Sequence, residues 1–230
     1  MSARRLFASA LSAGLLLPAA MLLLGCRASP ARASQAASLP PEPAPVGIAA
    51  STDTAVFAGG CFWGVEAVFE HLNGVSTAVS GYAGGQVRSP SYELVSSGAT
   101  GHAESVLVVY DPSRISYDQL LQVFFTVAHD PTQLNRQGPD LGTQYRSAVF
   151  YRNAAQRDAA QRYIAKLGAA KVYRDPIVTE VAPLNAFNPA EAYHQDYLAH
   201  HPYQPYIVIN DAPKLKELRR QFPGLYREPA

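Results

Sequence analysis

The chain has 230 residues, 48% hydrophobic and 16% charged, which suits one globular domain with extensions and a sizeable core. Its formal net charge is +1, and setting aside Arg4 and Arg5 leaves about −1. A near-neutral body removes the electrostatic case for nucleic-acid binding.

The N-terminus reads as a targeting segment rather than as fold. Met1 to Arg5 is short and basic, and Leu6 to Leu24 is apolar and rich in Ala and Leu. This is the pattern of a signal peptide over residues 1–25, and it places the domain outside the cytoplasm. Leu23-Leu24-Gly25-Cys26 is similar to a bacterial lipobox, in which Cys26 is lipidated and becomes the first mature residue. The competing reading is an uncleaved signal anchor. Both tether the protein to a membrane, facing the periplasm or cell exterior. Residues 26–51 are rich in Ala, Pro and Ser, with Pro30, Pro40, Pro41, Pro43 and Pro45, and read as an extended tether. With Cys26 lipidated, Cys61 is the only free thiol of the mature chain.

The remaining residues, 52–230, carry the folded domain. Ala55 to Ala58 reads as a short buried strand, followed by a helix starting near Phe62 with Val65, Val68, Phe69 and Leu72 on one face. Val75 to Ser80 alternates as a strand, and Gly81 to Ser91 reads as a loop. Glu104 to Tyr110 is a buried strand, stopped by Asp111-Pro112. Ser116 caps a helix to His129, and Asp130 to Gln144 is a polar loop. Ala148 to Tyr151 is a strand, and Asn153 opens a helix to about Leu167 with Tyr163, Ile164 and Leu167 inward. Ile177 to Val181 is a strand, a last helix runs from Pro189 or Ala190 to about His200, and the tail from Pro202 wraps the surface. Strands alternating with helices predict an α/β layered domain.

One stretch concentrates chemistry: Gly59-Gly60-Cys61-Phe62-Trp63-Gly64-Val65-Glu66. The glycines permit a tight strand-to-helix turn. Cys61 falls at a helix N-terminus, where free N–H groups and the dipole favour a thiolate and predict a lowered thiol pKa. Phe62 and Trp63 can wall an apolar pocket. Glu66, one turn into the helix, reads as structural, complementing the dipole.

Gly60-Cys61-Phe62-Trp63-Gly64 resembles the signature of the A-type peptide-methionine sulfoxide reductases. The resemblance continues through Gly98 to Glu104, Gly142 to Ser147 and Ala190 to Gln195, covering roughly residues 52–210. It implies a two-layer α+β sandwich around a mixed sheet with a ferredoxin-like core. It implies reduction of methionine S-sulfoxide, protein-bound or free, through a Cys61 sulfenic acid, repairing oxidised proteins. Glu104 matches the position of the acid, and its place at the start of a buried strand would raise its pKa. Tyr92, Asp140 and Tyr145 match positions lining the site, with Phe62 and Trp63 holding the S-methyl group. His194, Gln195 and Tyr197 read as supporting groups. No bound cofactor is implied; the reductant is an external thiol, thioredoxin-like or small, with dithiothreitol serving in vitro. The protein is expected to be a monomer.

Rival readings are weaker. His102-Ala103-Glu104 matches half of a zinc deaminase motif, but no Cys-x-x-Cys follows, and His102 reads as a turn residue. The histidines lack ligand spacing, and the adjacent pair His200-His201 points in diverging directions, so no metal site is expected. A cysteine hydrolase using Cys61 with a His base needs that base within hydrogen-bond reach. A non-catalytic lipoprotein that binds oxidised methionine would leave the Cys61–Glu104 pair without a role.

Overall fold

The computed structural model describes residues 52–228. The signal peptide over 1–25, Cys26 and the tether over 26–51 lie outside the described residues.

Strand β1 (Asp53–Gly59) leads into helix α1 (Phe62–Glu70), then β2 (Val75–Ala83), the one-turn helix α2 (Tyr92–Ser96) and β3 (Ala103–Tyr110). Helix α3 (Tyr117–Val123) is capped by Ser116 through a reciprocal pair with Gln119, and it widens into a π-turn over Phe124–Ala128. The polar stretch expected as loop holds a two-residue hairpin, β4 (Arg136–Gln137) with β5 (Asp140–Leu141), and a 3₁₀ turn over Thr143–Tyr145. Strand β6 (Ser147–Tyr151) and helix α4 (Ala154–Ala169), capped by Asn153, follow as expected.

The sheet order is β7-β6-β1-β3-β2-β8, with β7 (Glu180–Pro183) and β8 (Phe187–Pro189) at its edges. All pairings are antiparallel except β6 with β7. The inner four strands, β6-β1-β3-β2, with α1 after β1 and α3 between β3 and β6, give the ferredoxin-like order expected. β1 is buried on both faces because it is central. Ala55 and Phe57 face the helices, where Phe57 stacks on Phe69 (5.1 Å) and Phe124 (4.8 Å). Val56 and Ala58 face the other side with Ala103, Ala148 and Phe150.

Four expectations are corrected. β2 runs through Ala83, so the loop starts at Gly84. The strand placed at Ile177–Val181 lies at Glu180–Pro183, because the Val178 N–H donates to the Pro131 carbonyl instead of the sheet. The helix expected from Pro189 to His200 is broken into β8, a 3₁₀ turn (Ala192–His194) and the short α5 (Tyr197–His200). There Gln195 takes both backbone groups of Ser80 through its side-chain amide, and Asp196 adopts φ 52. The tail contributes core: after a π-turn (Ile207–Asp211), helix α6 (Ala212–Gln221) packs on α1 and buries Leu218.

Candidate active site

Gly60 turns the chain at the end of β1 with φ +91, and a Cβ there would meet Gln137 at 2.5 Å, so the turn requires glycine. This puts Cys61 at the N-cap of α1, 8% exposed. One of the donors left free by the helix start is used locally. The Phe62 N–H donates to Glu104 Oε2 at 3.0 Å. The first turn of α1 thus holds the carboxyl next to Cys61, although Glu104 arrives from β3, 43 positions along the chain from Cys61.

Burial dominates the electrostatics here. Glu104 is 2% exposed, and desolvation lifts its carboxyl to about 8; Asp140 and Asp211 add to the rise, and the Phe62 N–H opposes it. The rise is in the direction the sequence reading expects, and at neutral pH the carboxyl holds its proton. The thiol departs from expectation. Desolvation first, then Glu104 and Asp211, raise Cys61 well above its ordinary value, while the Trp63 N–H and Lys214 lower it. The helix start does favour the thiolate, but removal of water from an almost sealed sulfur outweighs it.

The sequence-expected aromatic residues converge. Burial raises the hydroxyls of Tyr92 and Tyr145, and ionisation of Glu104 or Cys61 would raise both further. Both remain protonated donors at neutral pH. Phe62, 1% exposed, packs among Trp63, Tyr82 and His194 and forms the back of the wall. Trp63 is the half-buried face. It stacks on Tyr197 at 3.7 Å, meets Tyr206 edge-on at 6.0 Å, and its indole N–H donates to His194 Nδ1 at 3.1 Å. Tyr197 and His194 therefore fix the indole plane, a supporting role as expected. Asp140 accepts from the Tyr206 hydroxyl.

Glu66 is structural, through a different contact from the one expected. Its buried carboxylate accepts from the Ser80 N–H (3.0 Å) and the Asp196 N–H (3.1 Å), and burial lifts it to about 7. His102 is a loop staple: its Nδ1 accepts from the Gly85 N–H, and its Nε2 lies 2.8 Å from the Val87 carbonyl oxygen.

Sequence reasoning missed Tyr206, Asp211 and Lys214, all from the tail. Nothing in the sequence separates Tyr206, seated against Trp63, from Tyr203, which is 91% exposed. Gly64 carried a usable signal. A Cβ at Gly64 would lie 2.0 Å from Asp211 Oδ1, so the second glycine of the motif marks where another element crosses α1.

A carboxyl that keeps its proton beside a buried thiol can protonate an oxygen as the sulfur attacks. With phenolic donors around them and an aromatic wall at one side, these groups define a thiol oxidoreductase. The hydrolase alternative is not favoured, because among the described residues no histidine is hydrogen-bonded to Cys61. The buried His129 lies against the Phe124 carbonyl (3.0 Å) and Ser147 Oγ (2.7 Å).

Comparison with known proteins gives the same class. Residues 53–224 match the family model described as peptide methionine sulfoxide reductase. A "Peptide methionine sulfoxide reductase MsrA 2" of Mesorhizobium japonicum is 58% identical over 180 residues, 78% of this chain and 92% of that protein. One from Synechocystis is 50% identical over 174 residues, 76% and 81% of the two chains. Among solved structures, reduced Mxr1 from Saccharomyces cerevisiae superposes with a TM-score of 0.63 at 35% identity, covering 67% of this chain and 88% of that one. Methionine sulfoxide reductase A of Corynebacterium diphtheriae gives 0.59 at 39% identity, covering 68% and 79%. The chain belongs to the peptide methionine sulfoxide reductase family.

Proposed function

We infer that this chain reduces methionine S-sulfoxide, in proteins or as the free amino acid, with thiols as the electron source. The observation that carries this reading is the Cys61–Glu104 pair, held together because the N–H of Phe62, the residue next to Cys61, donates to Glu104 Oε2. In the first stage the Cys61 sulfur attacks the sulfoxide sulfur, and Glu104 delivers its proton to the oxygen. The oxygen ends on Cys61 as a sulfenic acid, the thioether leaves, and the proton lost by the thiol restores Glu104. Cysteine sulfur is oxidised by two electrons and methionine sulfur is reduced by two. Tyr92 and Tyr145 donate to the oxygen while its charge builds. The test is turnover of the separated sulfoxide epimers with dithiothreitol. Consumption of the S epimer alone supports the reading, and inertness toward both epimers overturns it.

Trp63 holds the S-methyl group in this reading. Trp63→Ala is expected to weaken the preference for methyl over larger alkyl sulfoxides by about 1–3 kcal/mol, the scale for one methyl-sized feature of an apolar wall. Relative kcat/KM for methyl and ethyl sulfoxides measures it, and unchanged selectivity removes Trp63 from the pocket.

Recycling follows from cysteine placement. Pro202 to Ala230 contains no cysteine, so no thiol in the tail can resolve the sulfenic acid. We propose that an external thiol attacks Cys61 directly, releasing water, and that a second thiol then displaces the mixed disulfide. A small thiol or monothiol redox protein suits this better than a dithiol relay that acts on a protein disulfide. Lipidated Cys26, a thioether, cannot compete. Excess substrate without reductant is expected to leave a sulfenic acid on Cys61; a Cys26–Cys61 disulfide on non-reducing mapping overturns the one-cysteine cycle. The proposed export and anchoring rest on the N-terminal sequence. Mass spectrometry of the mature N-terminus is expected to find acylated Cys26; a chain still starting at Met1 overturns lipidation and favours the uncleaved signal anchor.

A further inference from the structure

Asp211 closes the π-turn before α6 and is 1% exposed. Its Oδ1 accepts from Lys214 Nζ at 3.1 Å, and its Oδ2 is buried without a hydrogen-bond partner among the described residues. The pair rests on α1 at Gly64. A Cβ there would stand 2.0 Å from Asp211 Oδ1 and 2.7 Å from Lys214 Nζ. Gly64 is three residues on from Cys61, so the pair sits over the helix face that carries the thiol. A surface ion pair has no need of such a seat. An isolated buried carboxylate is costly, and the lysine that neutralises it is itself mostly withdrawn from water, with 17% of its side chain exposed.

We propose that the Asp211–Lys214 pair is a positioning element for the Cys61 nucleophile, in which Lys214 offsets the repulsion that the buried Asp211 carboxylate exerts on a thiolate. The inference rests on the reading of Cys61 as the attacking sulfur. Among the charges acting on that sulfur, Glu104 and Asp211 oppose ionisation and Lys214 favours it. The Asp211 charge also reaches Glu104, where it helps retain the proton. Two opposite charges held at nearly fixed positions make a structure in which removing either partner shifts the thiol in a different direction. A merely structural pair lacks this property, because loss of either partner would disturb the site in the same sense.

The experiment follows the rate of Cys61 alkylation by iodoacetamide against pH, in the full chain, with no sulfoxide present. Below the thiol's midpoint this rate tracks the thiolate fraction. Lys214→Met leaves Asp211 uncompensated and is expected to slow alkylation at pH 8 by about three- to tenfold, with the profile displaced to higher pH. Asp211→Asn leaves Lys214 uncompensated and is expected to accelerate alkylation by a similar factor. The double variant returns close to wild type, and Lys214→Arg retains the wild-type profile. Shifts of the same sign in both single variants, or no shift in Asp211→Asn, overturn the proposal. Should Lys214→Met fail to fold, as a thermal melt would show, Asp211→Asn decides the matter by itself. Sulfoxide turnover of the wild type is judged separately, so failure of the family reading and failure of the charge pair give different results.

Discussion

Cys61→Ser is expected to eliminate turnover, with a loss on the order of 10⁵–10⁶, the scale for removal of a covalent nucleophile. A neutral hydroxyl at this position cannot accept the sulfoxide oxygen as a sulfenic acid does. The substitution is clean because of where Cys61 sits. It is the N-cap of α1 and makes no side-chain capping bond. Serine is among the preferred N-cap residues, so the helix loses nothing and can gain a bond to its own first turn. A melting temperature equal to or above that of the wild type would show that the fold is intact, so that lost turnover reports chemistry. Residual activity above about one part in a hundred, measured with dithiothreitol and methionine S-sulfoxide, would end the assignment of Cys61.

The structure separates what local sequence can express from what it cannot. β1, α1, β3 and α3 were legible because their apolar spacing, the Ser116 cap and the Asp111-Pro112 stop are local facts. Cys61 at a helix start was legible for the same reason. The sign of its shift was not, since it is set by burial and then by the charges of Glu104 and Asp211, which are distant in sequence. The stretch from Pro189 to His200 has helical composition but is pulled apart by partners far away in sequence: Ser80, Glu66 and Trp63. No pattern within those residues encodes the αL turn at Asp196 or the stack of Tyr197 on the indole. The tail was hidden by composition. Lys214, Lys216, Arg219 and Arg220 make α6 read as surface, yet Leu215 and Leu218 on its inner face pack into the core.

Glu104→Gln is expected to slow single-turnover reduction by about 10²–10⁴-fold with little change in substrate binding, as for loss of a positioned acid. The pH dependence makes the test sharper. Burial holds the wild-type carboxyl at about 8, so below that pH it carries the transferable proton and places no negative charge beside the sulfur. Above it, two effects act together. The acid is gone, and the new carboxylate repels a thiolate whose ionisation Glu104 already opposes. The wild-type rate should therefore fall as pH rises through about 8. Linkage gives the same sign in stability. A carboxyl raised from 4.5 to about 8 binds its proton more tightly in the folded state. Its contribution is full below 4.5 and is lost as pH rises toward about 8. In Glu104→Gln the amide can neither give the proton nor become negative. Reduction should be slow at every pH, and the alkaline fall should disappear. Alkylation of Cys61 above pH 8 should instead become faster than in the wild type, because the repelling charge is missing. That combination, slower reduction with a more reactive thiol, separates an acid from a group that merely packs. A loss confined to KM would reassign Glu104 to binding, and slower alkylation together with slower reduction would show that the substitution had disturbed the α1 turn rather than removed a proton.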